Sequence, residues 1–329
     1  MERAENTARA ADPLASVVAN CYARHIGKRS GAVADYIPQL ASADPERFGI
    51  AIATVNGRLY TAGDADYPFT IQSVSKAFVY CLALELVGRD AVIERVGVEP
   101  SGDVFNAIEF DPRTNRPYNP MVNAGAITTT GIVHSVAGAG TFELILDKLS
   151  QAAGRKLAID EDVYRSESET GHRNRAIGHL LRNAGAIAGP VDEIVDCYFR
   201  QCSIVVTAAD LARMGATLAH IGANPATGEQ VFDVQAVRNT LAVMFTCGTY
   251  DFSGSWAYDV GVPAKSGVGG GICGVVNRQL GIGTFSPRLD PMGNSVRGVA
   301  TFIDLANELG LHVFDCSNTG SSVMRSLIR

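Results

Sequence analysis

The chain has no surplus of basic residues and no long apolar run. Its 28 Lys and Arg residues stand against 34 Asp and Glu, so the net charge is −6 at pH 7. Because phosphate contacts require clustered Lys and Arg, this balance excludes an ordinary nucleic-acid binder. No run of about 18 uncharged apolar residues occurs, so no membrane span and no membrane partner are expected. The densest apolar run, residues 77–87, contains Glu85 and predicts a buried core helix.

Metal-ligand and redox motifs are also missing. The seven cysteines form no Cys-x-x-Cys pair, which excludes a zinc ribbon and a thioredoxin-like redox motif. We interpret them as small buried hydrophobic residues in a reducing compartment. The six histidines include no His-x-x-x-His pair, and although His172 and His179 can share a helix face, no carboxylate lies at a ligand spacing. We therefore expect no metal and no other cofactor.

The first residues do not resemble an export signal. Residues 1–6 carry acids and lack a continuous apolar segment, so a secretory signal is not predicted and a cytoplasmic location is expected. Residues 1–11 are rich in Ala and charge, which predicts a loose tail. The whole chain is 47% hydrophobic and 19% charged, a balance typical of globular proteins.

Strands are predicted near both ends of the chain. Residues 48–55 and 58–62 are strand-like and are joined by Asn56-Gly57. This dipeptide is a strong hairpin signal because both residues tolerate positive φ. Short strands rich in Gly and Val are predicted at residues 261–268, 272–277 and 279–285.

Helices are predicted before, between and after these strands. Asp12-Pro13 has the form of an N-cap followed by proline at the first helical position, and it begins a helix that runs to about His25. Thr207 with Asp210 resembles a capping box. The other helices are predicted at residues 73–86, 141–153, 174–186, 192–202, 207–221 and 295–309.

This order of elements predicts an α/β fold. The economical arrangement joins the N-terminal hairpin and the C-terminal strands in one antiparallel sheet flanked by helices, with an inserted all-helical lobe. The sheet lobe is expected from about residues 12–72 and 250–329, and the helical lobe from about residues 88–245. A site is expected in the cleft between the lobes, where pockets commonly lie.

A Ser-x-x-Lys sequence, Ser73 to Lys76, lies at the start of the apolar helix. Residues three apart on a helix share a face, so the hydroxyl and the amine can approach each other. The helix N-terminus favours developing negative charge, and a buried lysine there can accept the serine proton because its pKa is lowered. The alternative is a capping serine with a solvated lysine. A lysine inside an apolar helix favours catalysis, since an unpaired buried ammonium is costly.

A second element, Lys265-Ser266-Gly267 followed by Val268 and three glycines, lies on a late predicted strand. Ser-x-x-Lys followed by Lys-Ser/Thr-Gly is the order found in serine β-lactamases and penicillin-binding proteins. Backbone N–H groups of Ser73 and Val268 can together form an oxyanion hole. A glycine-rich hairpin without a ligand is the alternative for this element alone. Together, the two elements favour a serine hydrolase with a β-lactamase-like fold.

Several polar clusters lie between these two elements. Asn123 precedes small residues that open a helix, Glu167 lies in an acidic run, and Asn174 follows His172-Arg173. Tyr198 lies in an amphipathic helix, and Tyr250 follows a predicted helix end. Each also has an ordinary structural explanation: caps for the asparagines, packing for the tyrosines and a solvated face for the acids.

The chain resembles the serine-dependent glutaminases of bacteria and animals. The similar stretches occur in the family's order from about residue 14 to 312, without the ankyrin or regulatory appendages of some relatives. They are residues 31–40, Ile71 to Lys76, Asn119 to Ala126, Ser166-Glu167 with Arg173-Asn174, and Lys265 to Gly271. The resemblance implies one glutaminase catalytic domain over residues 12–329, and a homodimer or homotetramer.

The family's site residues match positions of this chain. By resemblance, Ser73 is the acylated nucleophile and Lys76 its general base, while Tyr36 and Tyr250 are tyrosines near the nucleophile that can relay a proton to leaving ammonia. Lys265 matches a lysine at the edge of the site, and it is assigned no step. The positions that match the glutamine-binding residues are Ser73, Asn123, Glu167, Asn174, Tyr198, Tyr250 and the backbone of Val268.

The implied substrate, L-glutamine, is a zwitterion with a carboxamide at its far end. Glu167 can hold the α-ammonium, while Asn174 and other donors hold the α-carboxylate. Buried polar partners reject ligands that lack the matching group by large factors, whereas one methylene is worth only about 1–3 kcal/mol. We therefore expect a strong requirement for both free α-groups and weaker discrimination against asparagine.

Two other functions were weighed. A penicillin-recognising hydrolase is disfavoured because no export signal and no convincing Ser-x-Asn motif are present. A non-catalytic amino-acid sensor on the same fold is disfavoured because both Ser73 and Lys76 are present.

Overall fold

An antiparallel sheet joins the two ends of the chain. The computed structural model describes residues 12–102 and 108–315, so the predicted tail at residues 1–11 lies outside the described residues. The strands are β1 (Gly49–Thr54), β2 (Leu59–Gly63), β3 (Phe69–Thr70), β4 (Val205–Val206), β5 (Ala264–Ser266), β6 (Gly271–Val276) and β7 (Leu280–Phe285). Five of them form a sheet in the order β2-β1-β7-β6-β5, and β3 pairs with β4. Because β1 pairs with β7 along its length, the predicted union of hairpin and C-terminal strands is confirmed.

Helices cover both faces of the five-stranded sheet. They are α1 (Pro13–His25), α2 (Pro38–Ala41), α3 (Ser75–Val87), α4 (Arg89–Ile93), α5 (Asn123–Ala137), α6 (Thr141–Ala153), α7 (Glu161–Thr170), α8 (His172–Asn183), α9 (Val191–Cys202), α10 (Ala208–Ala219), α11 (Val234–Cys247), α12 (Ser253–Asp259) and α13 (Val296–Leu309). Among the described residues, no helix is long and apolar enough to cross a membrane.

The two faces of the sheet differ in side-chain size. Ile52 and Ile282 face α1 and α13 in one apolar cluster. On the other face, small residues let α10 approach closely: a Cβ added to Gly283 would lie 2.0 Å from the Ala208 carbonyl oxygen. Successive strand residues point to opposite faces of the sheet. Bulky residues therefore face α1 and α13, whereas small residues on the other face let α10 lie close to the sheet. Lys265 pairs with Cys273, which contacts α10 through the Leu211 carbonyl, so Lys265 projects from that same face.

The helix α3 lies at the centre of the helices on the α10 side of the sheet. Its residues 75–84 are all buried, and it packs with α5, α6, α10 and α11 around one hydrophobic cluster. A helix that is apolar all round must be surrounded by protein, which confirms the predicted core helix. Lys76 is fully buried in this helix.

Predicted helix starts also agree with the structure. The Asp12 side chain accepts a hydrogen bond from the Leu14 N–H, with Pro13 at the first helical position. Thr207 and Asp210 form a reciprocal capping box at the start of α10. The division into lobes at residues 88 and 245 stays a prediction; α10 falls inside that range and packs on the sheet.

Candidate active site

Ser73 lies in a short 3-10 turn, Gln72–Val74, immediately before α3. The sequence predicted a helix beginning at Ser73, but the α-helix itself begins two residues later. Gln72 has φ +49°, a left-handed conformation that is costly for a residue other than glycine. The turn is held because the Ser75 hydroxyl donates to the Gln72 carbonyl at 2.8 Å and the Val74 N–H donates to the Ile71 carbonyl at 3.1 Å.

Lys76 follows Ser73 by three residues. Its Nζ donates to Oδ1 of Asn123 at 2.6 Å. Burial lowers the pKa of Lys76 from 10.5 to about 8. An amine with this pKa is partly neutral near neutral pH, and it can therefore accept a proton from a neighbouring hydroxyl.

Asn123 connects three helices at this point. It is the first residue of α5, and its Oδ1 also accepts from the Tyr198 hydroxyl of α9 at 3.2 Å. Its Nδ2 donates to Oδ1 of Asn174 in α8 at 2.9 Å. Tyr198 is 3% exposed, and burial raises its pKa well above the ordinary value. These contacts fix polar groups from separate elements around the Lys76 amine.

Glu167 and Tyr36 form a second polar group. The Tyr36 hydroxyl lies 2.9 Å from Oε1 of Glu167 and 3.1 Å from Oε1 of Gln72. Although 47% of Tyr36 is exposed, its hydroxyl is turned inward, and burial with the Glu167 charge raises its pKa. Burial also raises the pKa of Glu167, while hydrogen bonds with Tyr36 and Gln72 oppose this. A buried carboxylate of this kind is stabilised by a cation.

Tyr250 approaches Ser73 from the sheet side. It begins a 3-10 turn after α11 and has φ +61°. Its hydroxyl donates to the Ser266 carbonyl at 3.1 Å, and the Ser73 side chain is close enough to lower its pKa against the effect of burial. Because burial raises the pKa of Tyr250, the phenol keeps its proton near neutral pH.

The turn after β5 lies against the backbone of Ser73. The Gly267 N–H donates to the Gly271 carbonyl at 2.9 Å, which brings Val268 into the turn. A Cβ added to Gly267 would lie 3.4 Å from the Ser73 nitrogen and 3.2 Å from the Ile71 carbonyl oxygen. Only a residue without a side chain allows this approach comfortably. The backbones of Ser73 and of the Gly267-Val268 segment are therefore neighbours.

The structure brings the predicted residues together in linked groups. One contains Lys76, Asn123, Asn174 and Tyr198; another links Tyr36 to Glu167; a third links Ser73 to Tyr250. Gln72 joins the second group to the turn of Ser73, and Val268 follows the glycine that lies beside Ser73.

Three buried residues of this region were missed by the sequence analysis. Gln72 contacts Tyr36, and nothing in the sequence marks its positive φ. Gln201 is fully buried and donates to the Ser75 hydroxyl at 3.4 Å. Cys202 is buried and interacts electrostatically with Lys76 and Glu167, and burial raises its pKa to about 12. An amide on the apolar face of α9 was the available signal for Gln201.

One group of potential metal ligands lies elsewhere. Single ligand atoms of Cys21, His25 and Asp304 lie within 4.8 Å of one another between α1 and α13. The Asp304 carboxylate is already paired with Arg24, whose Nε lies 3.0 Å from Oδ2. This cluster lies on the sheet face opposite α10. The expectation that the protein needs no metal stays a prediction.

The chain is similar to proteins of one family along most of its length. The family model described as Glutaminase matches residues 31–314. Glutaminase 2 of Bradyrhizobium diazoefficiens is 53% identical over 303 residues, which are 92% of this chain and 48% of that protein. The chain thus spans about half the length of this relative. The glutaminase of Nostoc sp. is 49% identical over 94% of this chain and 92% of its own.

A solved structure has the same fold. The structure of the probable glutaminase ybaS is 42% identical, covers 93% of this chain and 99% of its own, and superposes with a TM-score of 0.90. The antiparallel sheet flanked by helices is therefore that of the serine β-lactamase-like fold, as the sequence predicted.

Proposed function

The chain belongs to the glutaminase family, and we propose that it hydrolyses L-glutamine to L-glutamate and ammonia through a glutamyl ester on Ser73. The observation that carries this proposal is the fully buried Lys76, which follows Ser73 by three residues and whose Nζ donates to Asn123 at 2.6 Å. We assign Lys76 as the base for the Ser73 hydroxyl and Tyr250 as the proton donor.

In the proposed acylation step, Ser73 Oγ attacks the carboxamide carbon while Lys76 accepts the hydroxyl proton. The tetrahedral oxyanion is stabilised by the N–H groups of Ser73 and Val268, the residue that follows Gly267 in the turn beside Ser73. Breakdown of this intermediate breaks the C–N bond, and Tyr250, with Tyr36 nearby, relays a proton to the leaving ammonia. Lys76 replenishes the phenol proton. The proton that ammonia gains is replaced by the one that Ser73 lost, so acylation needs no further reactant.

In the proposed deacylation step, water attacks the glutamyl ester. Lys76 accepts a proton from the water, and Ser73 leaves as the alkoxide and is reprotonated. Both steps require Lys76 as the neutral amine. Burial provides this condition because it disfavours the ammonium.

The polar groups around Ser73 fit the two charged ends of free glutamine. Glu167 is a buried carboxylate that we assign to the α-ammonium. Asn174, Asn123 and Tyr198 form a hydrogen-bonded set that we assign to the rest of the amino acid, with Asn174 at the α-carboxylate. A ligand without the α-ammonium would leave the buried Glu167 carboxylate unpaired, which is costly.

Ammonia release from glutamine by the purified chain tests this proposal. Wild-type protein should release ammonia, Ser73→Ala should not, and Ser135→Ala, whose hydroxyl only bonds back to Ile132 in α5, should retain full activity. If wild-type and Ser73→Ala proteins both bind glutamine and release no ammonia, the chain is an amino-acid sensor. A cytoplasmic location and a homodimer or homotetramer stay predictions.

A further inference from the structure

Lys265 is a fully buried lysine for which the proposed reaction has no step. Its Nζ donates to the Gly248 carbonyl at 2.8 Å and to the Ser266 carbonyl at 2.7 Å, and it lies 3.9 Å from the centre of the Tyr250 ring. A buried amine is costly unless it is hydrogen-bonded, so these contacts account for its presence at this position.

All three contacts of Lys265 help to hold Tyr250 in place. Gly248 precedes Tyr250 by two residues, so the first contact holds the main chain that leads into it. The Ser266 carbonyl is the acceptor of the Tyr250 hydroxyl itself, so the second contact fixes the group that orients the phenol. The third contact covers the ring face, where a cation or an N–H group is attracted by the π electrons.

Tyr250 requires such support because its backbone is strained. Its φ of +61° is unfavourable for an aromatic residue, and such conformations persist only when their surroundings hold them. On one side, the Ser253 hydroxyl donates to the Tyr250 carbonyl at 2.8 Å. On the side of β5, Lys265 is the residue that touches both the ring and the chain before it.

We propose that Lys265 is a positioning residue that acts through Tyr250, holding the phenol beside Ser73 for the proton transfer. This inference rests on the proposed function. It does not require one protonation state, because a neutral amine has two N–H groups and an ammonium has three, which in either case are enough for the two carbonyls. Burial and the charge of Lys76 lower the pKa of Lys265, and both carbonyl contacts are retained when the group is neutral.

A double-mutant cycle separates this role from direct participation of Lys265. Lys265→Met and Tyr250→Phe should each lower kcat/KM by about 10²-fold or more, as expected when a general acid is lost or misplaced. In the Tyr250→Phe background, Lys265→Met should change kcat/KM by less than about threefold, because residues that act as a unit are not additive. Losses that multiply in the double variant would overturn the proposal.

Controls keep the cycle interpretable. Lys148→Met removes a part-buried lysine that bridges Glu85 and the Val231 carbonyl away from Ser73, and it should leave kcat/KM unchanged. If Lys265→Met does not fold, Lys265→Gln takes its place in the cycle.

A crystal structure of the Lys265 variant gives a readout that does not depend on turnover. We expect the Tyr250 ring to move away from Ser73 and its φ to become negative; an unmoved Tyr250 would contradict the inference. Absence of glutamine hydrolysis by the wild-type protein would instead refute the proposed function.

Discussion

At the scale of single residues, the proposed reaction depends on environments that change ordinary acid–base behaviour. Lys76 is buried and has a pKa near 8, Glu167 is buried beside a tyrosine, and Tyr250 keeps its proton. The residue types were predicted from two short motifs and a family resemblance. Their protonation was only partly predictable, because it depends on contacts such as Lys76 to Asn123 that join distant parts of the chain.

The pH dependence of turnover tests the role of Lys76. Because the neutral amine is the base, kcat/KM should be low in acid and should rise tenfold per pH unit up to about pH 8, the pKa of Lys76. Steady-state kinetics between pH 4 and 10 measure this, with Lys148→Met as a variant whose profile should match the wild type. An acidic limb centred near the pKa of a carboxyl group would assign the base to a different residue.

The role of Glu167 can be tested with a substrate that lacks the α-amino group. Glu167→Gln should lower kcat/KM for glutamine by about 10²-fold, since it removes one member of a buried charge pair. For glutaramate, the same substitution should have little effect because no ammonium is present to be held. Equal losses with both substrates would show that Glu167 does not contact the α-ammonium.

At the scale of elements, the chain determines which pieces meet around Ser73. The helix α1, the β1–β2 hairpin and the capping box of α10 follow from caps, turn residues and periodicity, and all were predictable. The 3-10 turn at Ser73 was not, because the positive φ of Gln72 is maintained by contacts with Ser75 and Tyr36 rather than by its own preference. Local sequence does not contain that information.

The close approach of α10 to the sheet depends on glycines in β7. In Gly283→Ala, the new Cβ would lie 2.0 Å from the Ala208 carbonyl oxygen and 2.6 Å from the Ala212 nitrogen, both backbone atoms. We expect a loss of at least about 1–3 kcal/mol in the free energy of unfolding, as is usual for overpacking. Urea denaturation measures it. Gly254→Ala in α12, where the added Cβ meets nothing within 4 Å, should be neutral or slightly stabilising.

At the scale of the whole molecule, the two ends of the chain build the sheet while the middle supplies most of the polar groups around Ser73. The antiparallel union of hairpin and C-terminal strands was predicted from element order alone. The assignment of α10 to a layer was not predictable in this way, because it depends on small residues of β1 and β7 that are distant in sequence.

Burial of Lys76 also lowers the free energy of unfolding. In the folded state the pKa of Lys76 is about 8, against 10.5 for an exposed lysine, so the ammonium destabilises the fold below pH 8. This difference corresponds to as much as about 3 kcal/mol. Lys76→Met should therefore abolish turnover and raise the free energy of unfolding at pH 7. The gain should shrink between pH 8 and 10.5, where the unfolded lysine loses its proton. Denaturation curves recorded at pH 8 and at pH 10.5, with Lys148→Met in parallel, measure the effect.

Covalent labelling tests the central claim, that Ser73 is the nucleophile, most directly. The protein is incubated with a diazoketone analogue of norleucine, which mimics glutamine and alkylates a nucleophile, and its peptides are then mapped by mass spectrometry. We predict a single adduct on Ser73, lost in both Ser73→Ala and Lys76→Met. Cys202 is close enough to Lys76 to interact with it electrostatically, but burial raises its pKa to about 12, so it should remain unlabelled. An adduct on Cys202, with Ser73 unmodified, would contradict the serine mechanism.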